Sequence, residues 1–466
     1  MLLKKKIKNF LLFLIITSII TSIITLFNCN ILLAANSSNT YKHITLFEGV
    51  NFLTTNAPTL INLELEIRNN DLSKKNAFAA FLPSLDFQAT HGLHDSYSNY
   101  NNPQKNMWTS NLSLDLSETF YDNGVSRANY KISQLKKQKS ELNYKKELER
   151  LTSDFCNEFL NYSYLKKLLS VQEEQLSLLK RQNEIISKTY YQGLKTKKDY
   201  LRSKTDLNRM GVDLLATINS IERSKMELFK LINLPYEEYP KTNFIPIDEN
   251  NDTLKFNLNT TFETPKIESY IEYKNSLLQQ DITELETSMI DRKNWPELSI
   301  SSGVSYSTNT YMGSTKSWHT SFTDNDSTSW NILFKINYNI LDWGVRSRNK
   351  EMALNRQISE KKQFESDVLV LKTNMSKLLI DLQERISNFK NSEELLLLEK
   401  DSYQLIYAEY RNGKVQYLDL ITALKSLIDA KTRFYSAFYD LKKGIFSYYF
   451  NQGTLHDFIK LKKTFK

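Results

Sequence analysis

Two short segments recur at one fixed offset, and that offset constrains the fold more than any other feature of the chain. Asp122-Asn123-Gly124-Val125 is answered 220 positions later by Asp342-Trp343-Gly344-Val345. Tyr190-Tyr191-Gln192-Gly193 is answered at the same distance by Tyr410-Arg411-Asn412-Gly413, and Asp199 by Asp419. Within each copy the corner aspartate and the tyrosine stand 68 residues apart, so nothing was gained or lost between them. Loops tolerate insertions. A continuous helix does not, because each added residue turns every later side chain by about 100°. The spacing therefore predicts two copies of one long helical hairpin.

Periodicity agrees. Positions 148, 151, 155, 159, 162, 165, 169, 176, 179, 186 and 190 are all apolar or aromatic. Steps of three and four, or sums of these, mark coiled-coil-like packing. Val368, Leu371, Met375, Leu379 and Leu382 repeat the first five at the same offset. With 11 glycines and 8 prolines in 466 residues, the long spans free of both can stay helical. A helix over 123–191 would be about 100 Å long, more than a globular domain needs.

Ahead of each rod the period changes to two. A helical stretch over 60–81 ends at Leu82-Pro83, where proline pushes its predecessor out of the helical region. Ser84 to Thr90 then alternates, a polar loop covers 94–106, and Leu112, Leu114 and Leu116 alternate with Asn111, Ser113, Asp115 and Ser117. The second copy opens at Trp295-Pro296. It alternates through Leu298, Ile300, Ser302, Val304 and Tyr306, then through Ile332, Phe334, Ile336, Tyr338 and Ile340, with Lys335, Asn337 and Asn339 opposite. Pro83 lies 39 residues before Asp122 and Pro296 lies 46 before Asp342, so the extra seven belong in the second strand hairpin's loop. Four strands of this length suit a tilted membrane barrel but cannot close one, and an open edge is forbidden in lipid. The missing strands must come from other copies of the chain.

Residues 1–35 read as a signal peptide: Lys4, Lys5, Lys6 and Lys8, an apolar run from Phe10 to Phe27, and a Leu33-Ala34-Ala35 cleavage site. A retained inner-membrane anchor is the alternative. Cys29, after Leu26-Phe27-Asn28, is a loose lipidation site or a residue discarded with the signal. The first repeat then covers 36–235, a linker 236–265, the second repeat 266–453, and a basic C-terminal tail 454–466. Setting the four signal lysines aside, 57 basic residues face 53 acidic ones, a balance that gives no footprint for nucleic acid. Cys156 inside a rod has no disulfide partner left in a mature chain.

The two Leu/Trp-Pro strand starts (Pro83, Pro296), the two Asp-x-Gly-Val corners and the two Tyr-x-x-Gly segments with Asp six residues on resemble the TolC-type outer-membrane channel proteins of drug efflux and type I secretion. The resemblance covers about 41–453. It implies an α+β protein: a long antiparallel coiled-coil helical barrel in the periplasm joined to a transmembrane β-barrel. Each chain would give four strands in two internal repeats, closed by homotrimerisation into twelve strands. It implies an exit duct in the outer membrane, contacting its lipid, coupled to an inner-membrane transporter through a periplasmic adaptor (membrane fusion) protein. A periplasmic coiled-coil adaptor is the alternative reading, against which the four amphipathic strands speak.

For single residues, Asp122 and Asp342 fit helix N-caps, and Gly124 and Gly344 fit the bends beside them. Gly193 and Gly413 fall where the chain reverses. By resemblance, Gln192-Gly193-Leu194 and Asn412-Gly413-Lys414 are adaptor-contacting tips, while Asp199, Asp419, Tyr190 and Tyr410 lie at the tunnel entrance. Six carboxylates in a ring would hold cations. The competing readings are solvated or helix-capping aspartates and heptad-core tyrosines. Related chains often carry a basic residue two positions after the second glycine; Val415 stands there, with Lys195 in the first copy, so a closing salt bridge must be arranged differently. Neither enzyme chemistry nor any cofactor is expected. His43, His91, His94, His319 and His456 form no metal-ligand pattern, and no phosphate loop or nucleophile elbow occurs.

Overall fold

The computed structural model describes residues 43–94, 107–247, 266–311 and 326–464. The signal segment with Cys29, the loops of both strand hairpins and the later linker lie outside the described residues. The first copy runs β1 (His43–Ile44), α1 (Leu46–Asn56), α2 (Pro58–Ala79), β2 (Ser84–His94), β3 (Met107–Tyr121), α3 (Val125–Tyr191) and α4 (Lys197–Ile232). After β4 (Asn243–Phe244), the second runs α5 (Ile271–Arg292), β5 (Glu297–Tyr311), β6 (Asp326–Asn337), α6 (Val345–Arg411) and α7 (Tyr417–Asn451). A short α8 (Leu455–Thr464) follows.

The rods α3 and α6 are 67 residues each, and α2 and α5 are 22 each, as a repeat without slippage requires. Boundaries differ from expectation in four places. Pro58, at the first position of α2, separates it from α1, so the leading helical region is two helices. Strand β2 continues past Thr90 to His94, while β6 stops at Asn337, short of Ile340. The linker is partly ordered, because Asn243–Phe244 pairs in parallel with His43–Ile44. The basic tail is a helix through Thr464, with Leu455 and Ile459 fully buried.

All four long strands join one antiparallel sheet in the order β2-β3-β5-β6, and the β3–β5 pairing welds the two repeats. Its register sorts the faces. Phe87, Leu114, Val304 and Trp330 form one cross-strand row, all exposed. One residue along, Gln88, Ser113, Ser305 and Ser329 form a row on the opposite face, where the two serine hydroxyls of β5 and β6 lie 2.7 Å apart. Leu112, Leu116, Ile332, Phe334 and Ile336 share the apolar face; Asn111, Asp115, Lys335 and Asn337 share the polar one. His91, expected to be solvated, instead stacks on Trp108 at 4.9 Å and bonds the Ser110 hydroxyl.

The densest core lies where α1, the β1–β4 pair and α8 wrap the middle of α3. Ile44, Leu53, Phe155, Phe159, Phe446 and Leu455 are fully buried there. Being covered all round, α3 also buries polar positions off its apolar stripe. Glu149 is one: its carboxylate accepts the His456 amide N–H at 3.1 Å, satisfying a free donor at the start of α8. In contrast α6 buries only Ala353, Leu382 and Ser392. Its partners are α5 and α7, and Leu369, Leu397, Leu398 and Leu405 stay open.

Candidate functional site at the hairpin tips

Both rods end in the same turn. Gly193 and Gly413 take left-handed φ values of +74° and +72°. The Leu194 amide N–H donates back to the Thr189 carbonyl at 2.9 Å, and that of Lys414 to Glu409 at 3.0 Å. The glycines donate to the Tyr190 and Tyr410 carbonyls, completing a paired turn that satisfies carbonyls the helix leaves free. Nothing lies within 4 Å of a Cβ built on either glycine. Backbone conformation, rather than crowding, requires glycine here. Tyr191 and Leu194 stand well exposed beside the first turn.

The two aspartates sit at the third position of the returning helices. Asp199 Oδ2 accepts the Thr196 hydroxyl at 2.9 Å, and its amide N–H donates to the same hydroxyl at 3.2 Å. Asp419 Oδ2 accepts the Gln416 amide N–H at 3.0 Å. These are capping contacts, and an acid in the first turn also suits the helix dipole. Capping engages one oxygen and leaves the charge in place, so it does not exclude a role toward passing ions.

The tyrosines part company. Tyr190 stacks on Tyr200 at 5.0 Å within the first hairpin. Tyr410 instead packs into a core that joins the hairpins, with Val171, Leu179, Ile186 and Met210 from the first and Tyr417, Ile421 and Leu424 from the second. Burial raises the Tyr410 phenol pKa, and the nearby Asp199 charge raises it further. Burial likewise pushes Tyr417 up, reinforced by the charge of Asp206. The structure thus brings Asp199 to Tyr410 across the two hairpins, while Asp419 serves its own helix.

Two ion pairs cross between the hairpins: Lys425 Nζ to Asp206 Oδ1 at 3.2 Å and Lys431 Nζ to Glu174 Oε2 at 2.7 Å. Asp206 is only 8% exposed. A cavity of about 400 Å³ beside it is lined by Gln172, Arg209, Asp213 and Asp429 among others. Sequence reading left the closing pair open at Val415 and did not find these residues. One signal was legible: Ser203, Asp206, Met210, Thr217, Ile221, Ser224 and Leu228 are the buried stripe of α4, and Asp206 is its one charge.

At the opposite end of the rods the corners correct an expectation. The N-cap residues are Gly124 and Gly344, both left-handed, not the aspartates. Asp122 and Asp342 cap from two residues earlier. Their carboxylates accept the glycine amides at 2.9 and 3.1 Å and the Ser126 and Arg346 amides at 2.6 and 2.9 Å. Asp342, moreover, is held by the Arg346 guanidinium, which lowers its pKa below the usual carboxylate range. Pro83 and Pro296 stand immediately before or at the strand starts, as expected.

Paired 67-residue rods, matched tips and an open four-stranded sheet are the architecture of TolC-like channel proteins. The outer membrane efflux protein family model matches residues 51–234 and 289–443, one segment in each repeat, and the chain belongs to that family. Among solved structures it is similar to the outer membrane protein VceC of Vibrio cholerae, at 13% identity and TM-score 0.76, covering 88% of this chain and 96% of that one. It is also similar to the CmeC outer membrane channel of Campylobacter jejuni, at 15% identity and TM-score 0.76, covering 90% and 89%. The open-state MtrE outer membrane channel of Neisseria gonorrhoeae follows at 17% identity and TM-score 0.69, covering 88% of each. Such identities establish a shared fold. No curated protein matches.

Proposed function

We propose that this chain is one protomer of a homotrimeric exit duct, with its strands in the outer membrane and its rods forming a periplasmic tunnel. The duct passes small molecules or proteins delivered by an inner-membrane transporter, and its tips at Gly193 and Gly413 dock on a periplasmic adaptor. Asp199 and Asp419, three of each, ring the tunnel entrance and favour cations. The carrying observation is the sheet: four strands, one face apolar and exposed from Leu85 to Ile336, and two edges, β2 and β6, without partners in the described sheet. Lipid accepts that face, and further copies of the chain complete those edges. An adaptor would also carry long hairpins, but it has no use for an apolar sheet face of this extent.

The test is a pair of neighbours. Leu114→Arg places a charge in the middle of the apolar face and should cost about 2–4 kcal/mol of assembly, while Ser113→Arg on the polar face should cost far less. Trimer yield from outer-membrane fractions, read on detergent gels, should fall sharply for the first alone. Equal yields, or a wild-type chain purified as a stable monomer with full strand content, would overturn the reading.

A further inference from the structure

The corner after β6 contains an arrangement that the fold itself does not need. Trp343 adopts φ +55°, a left-handed conformation that is an outlier for a bulky residue. Its counterpart in the first repeat is Asn123, at φ +58°. Asparagine tolerates that region, and Asn123 uses its side chain to bind the Pro296 carbonyl at 2.9 Å. Trp343 makes no such bond. Its ring is 82% exposed and, among the described residues, has no aromatic or hydrogen-bonded partner. A backbone held in this region costs of order 1–3 kcal/mol. Nothing inside the chain recovers that cost.

The surroundings indicate what lies outside. Trp330, Ile332, Phe334 and Ile336 run down the apolar face of β6, and Ile340, Leu341 and Trp343 continue the exposed apolar path past its last paired residue. The path ends in positive charge. Arg348 donates to the Trp343 carbonyl at 3.2 Å and is otherwise exposed, with no acidic partner among the described residues. Arg346 is clamped over the Tyr338 ring at 5.4 Å. An indole at the rim of an apolar band beside a free guanidinium matches a headgroup layer, where apolar carbon, carbonyls and phosphates meet within a few ångströms.

We propose that Trp343 and Arg348 form an anchor for phospholipid headgroups at the periplasmic rim of the barrel, the indole among the ester carbonyls and the guanidinium on lipid phosphate. The left-handed backbone turns the indole outward, away from the rod. The anchor rests on the reading that this sheet stands in a bilayer. It accounts for the departure from symmetry at positions 123 and 343: one corner faces its own chain through asparagine, the other faces lipid through tryptophan.

The experiment separates the two claims. Full-length protein labelled with fluorotryptophan is reconstituted into phospholipid nanodiscs carrying a nitroxide either on the headgroup or halfway along the acyl chain. Trp343→Asn, which keeps a residue suited to the backbone, and Trp330→Phe assign the two fluorine lines. Trp330 lies level with Leu114 at mid-sheet and reports the membrane reading itself. The expected result is a Trp343 line lost with the headgroup label and retained with the chain label, and the reverse for Trp330. If Trp330 responds to the chain label while Trp343 responds only to a water-soluble relaxation agent, the anchor is wrong and the barrel stands. A Trp343 line that neither lipid nor aqueous agents broaden means another copy covers it, which also overturns the anchor. A Trp330 line indifferent to both lipid labels overturns anchor and barrel together.

Discussion

At the scale of single residues, the buried pair Glu149 and His456 should give the equatorial core an opposing pH response. Burial raises Glu149 to about 7, while burial, with Lys460 nearby, lowers His456. The folded chain holds the Glu149 proton more tightly than the unfolded one, so that site loses stability as pH rises from the usual carboxylate range to about 7. The folded chain holds the His456 proton less tightly, so that site gains stability over the approach to the usual histidine value. Lys145, Asp457, Cys156 and the Thr152 hydroxyl face the pair and change little between pH 5 and 7. Glu149→Gln should therefore make amide-exchange protection of 455–464 rise with pH, and His456→Gln should make it fall, after correction for intrinsic rates. Parallel slopes in the two variants would contradict this account.

At the scale of elements, two glycines predict different costs for the same change. At Gly193 an added Cβ meets open space, so Gly193→Ala carries only the left-handed backbone penalty, about 1–2 kcal/mol, confined to one tip. At Gly49 in α1 the Cβ would stand 2.1 Å from Phe155 Cζ, a fully buried ring. Gly49→Ala must shift α1 off the rod or displace that ring, an overpacking cost of about 1–3 kcal/mol placed in the densest core. Thermal unfolding of the purified protein should drop clearly for Gly49→Ala, while Gly193→Ala should leave it nearly unchanged and loosen only exchange near the tip. The reverse order would mean that the equatorial core does not carry global stability.

At the scale of the molecule, the capping role of the entrance aspartates sharpens the test of a charge ring. Asparagine can accept the same capping hydrogen bonds as aspartate. Asp199→Asn with Asp419→Asn should thus preserve the turns and assembly yet remove the charge from the entrance. In planar-bilayer recordings the double variant should show weaker cation preference and weaker block by divalent cations. Unchanged selectivity in a correctly assembled trimer would leave both residues with helix capping alone. The same scale explains why equal rods are unequally covered. α3 is enclosed by α1, α2, α4, α5, α7 and α8, whereas α6 keeps a face of exposed leucines, the face that further copies cover in the proposed trimer.

What the sequence determined by itself was whatever local backbone physics sets. The 220-residue offset, the three-and-four spacing, the alternation of β3 and β6 and the turn glycines each act within a few residues, so rods, strands and tips were legible without a structure. The edges of that legibility are physical too. Alternation continues to Ile340, but a strand ends where its partner does, and β5 begins at Glu297 opposite Asn337. The Lys460 region reads as a charged tail because the groups that dock it lie far away: His456 meets Glu149 across 307 positions. Lys425 meets Asp206 across 219, nearly the repeat length, because the two returning helices lie against one another. The helical period states which face of a rod is apolar; only tertiary packing decides which of many apolar or polar partners, hundreds of residues distant, comes to rest against it.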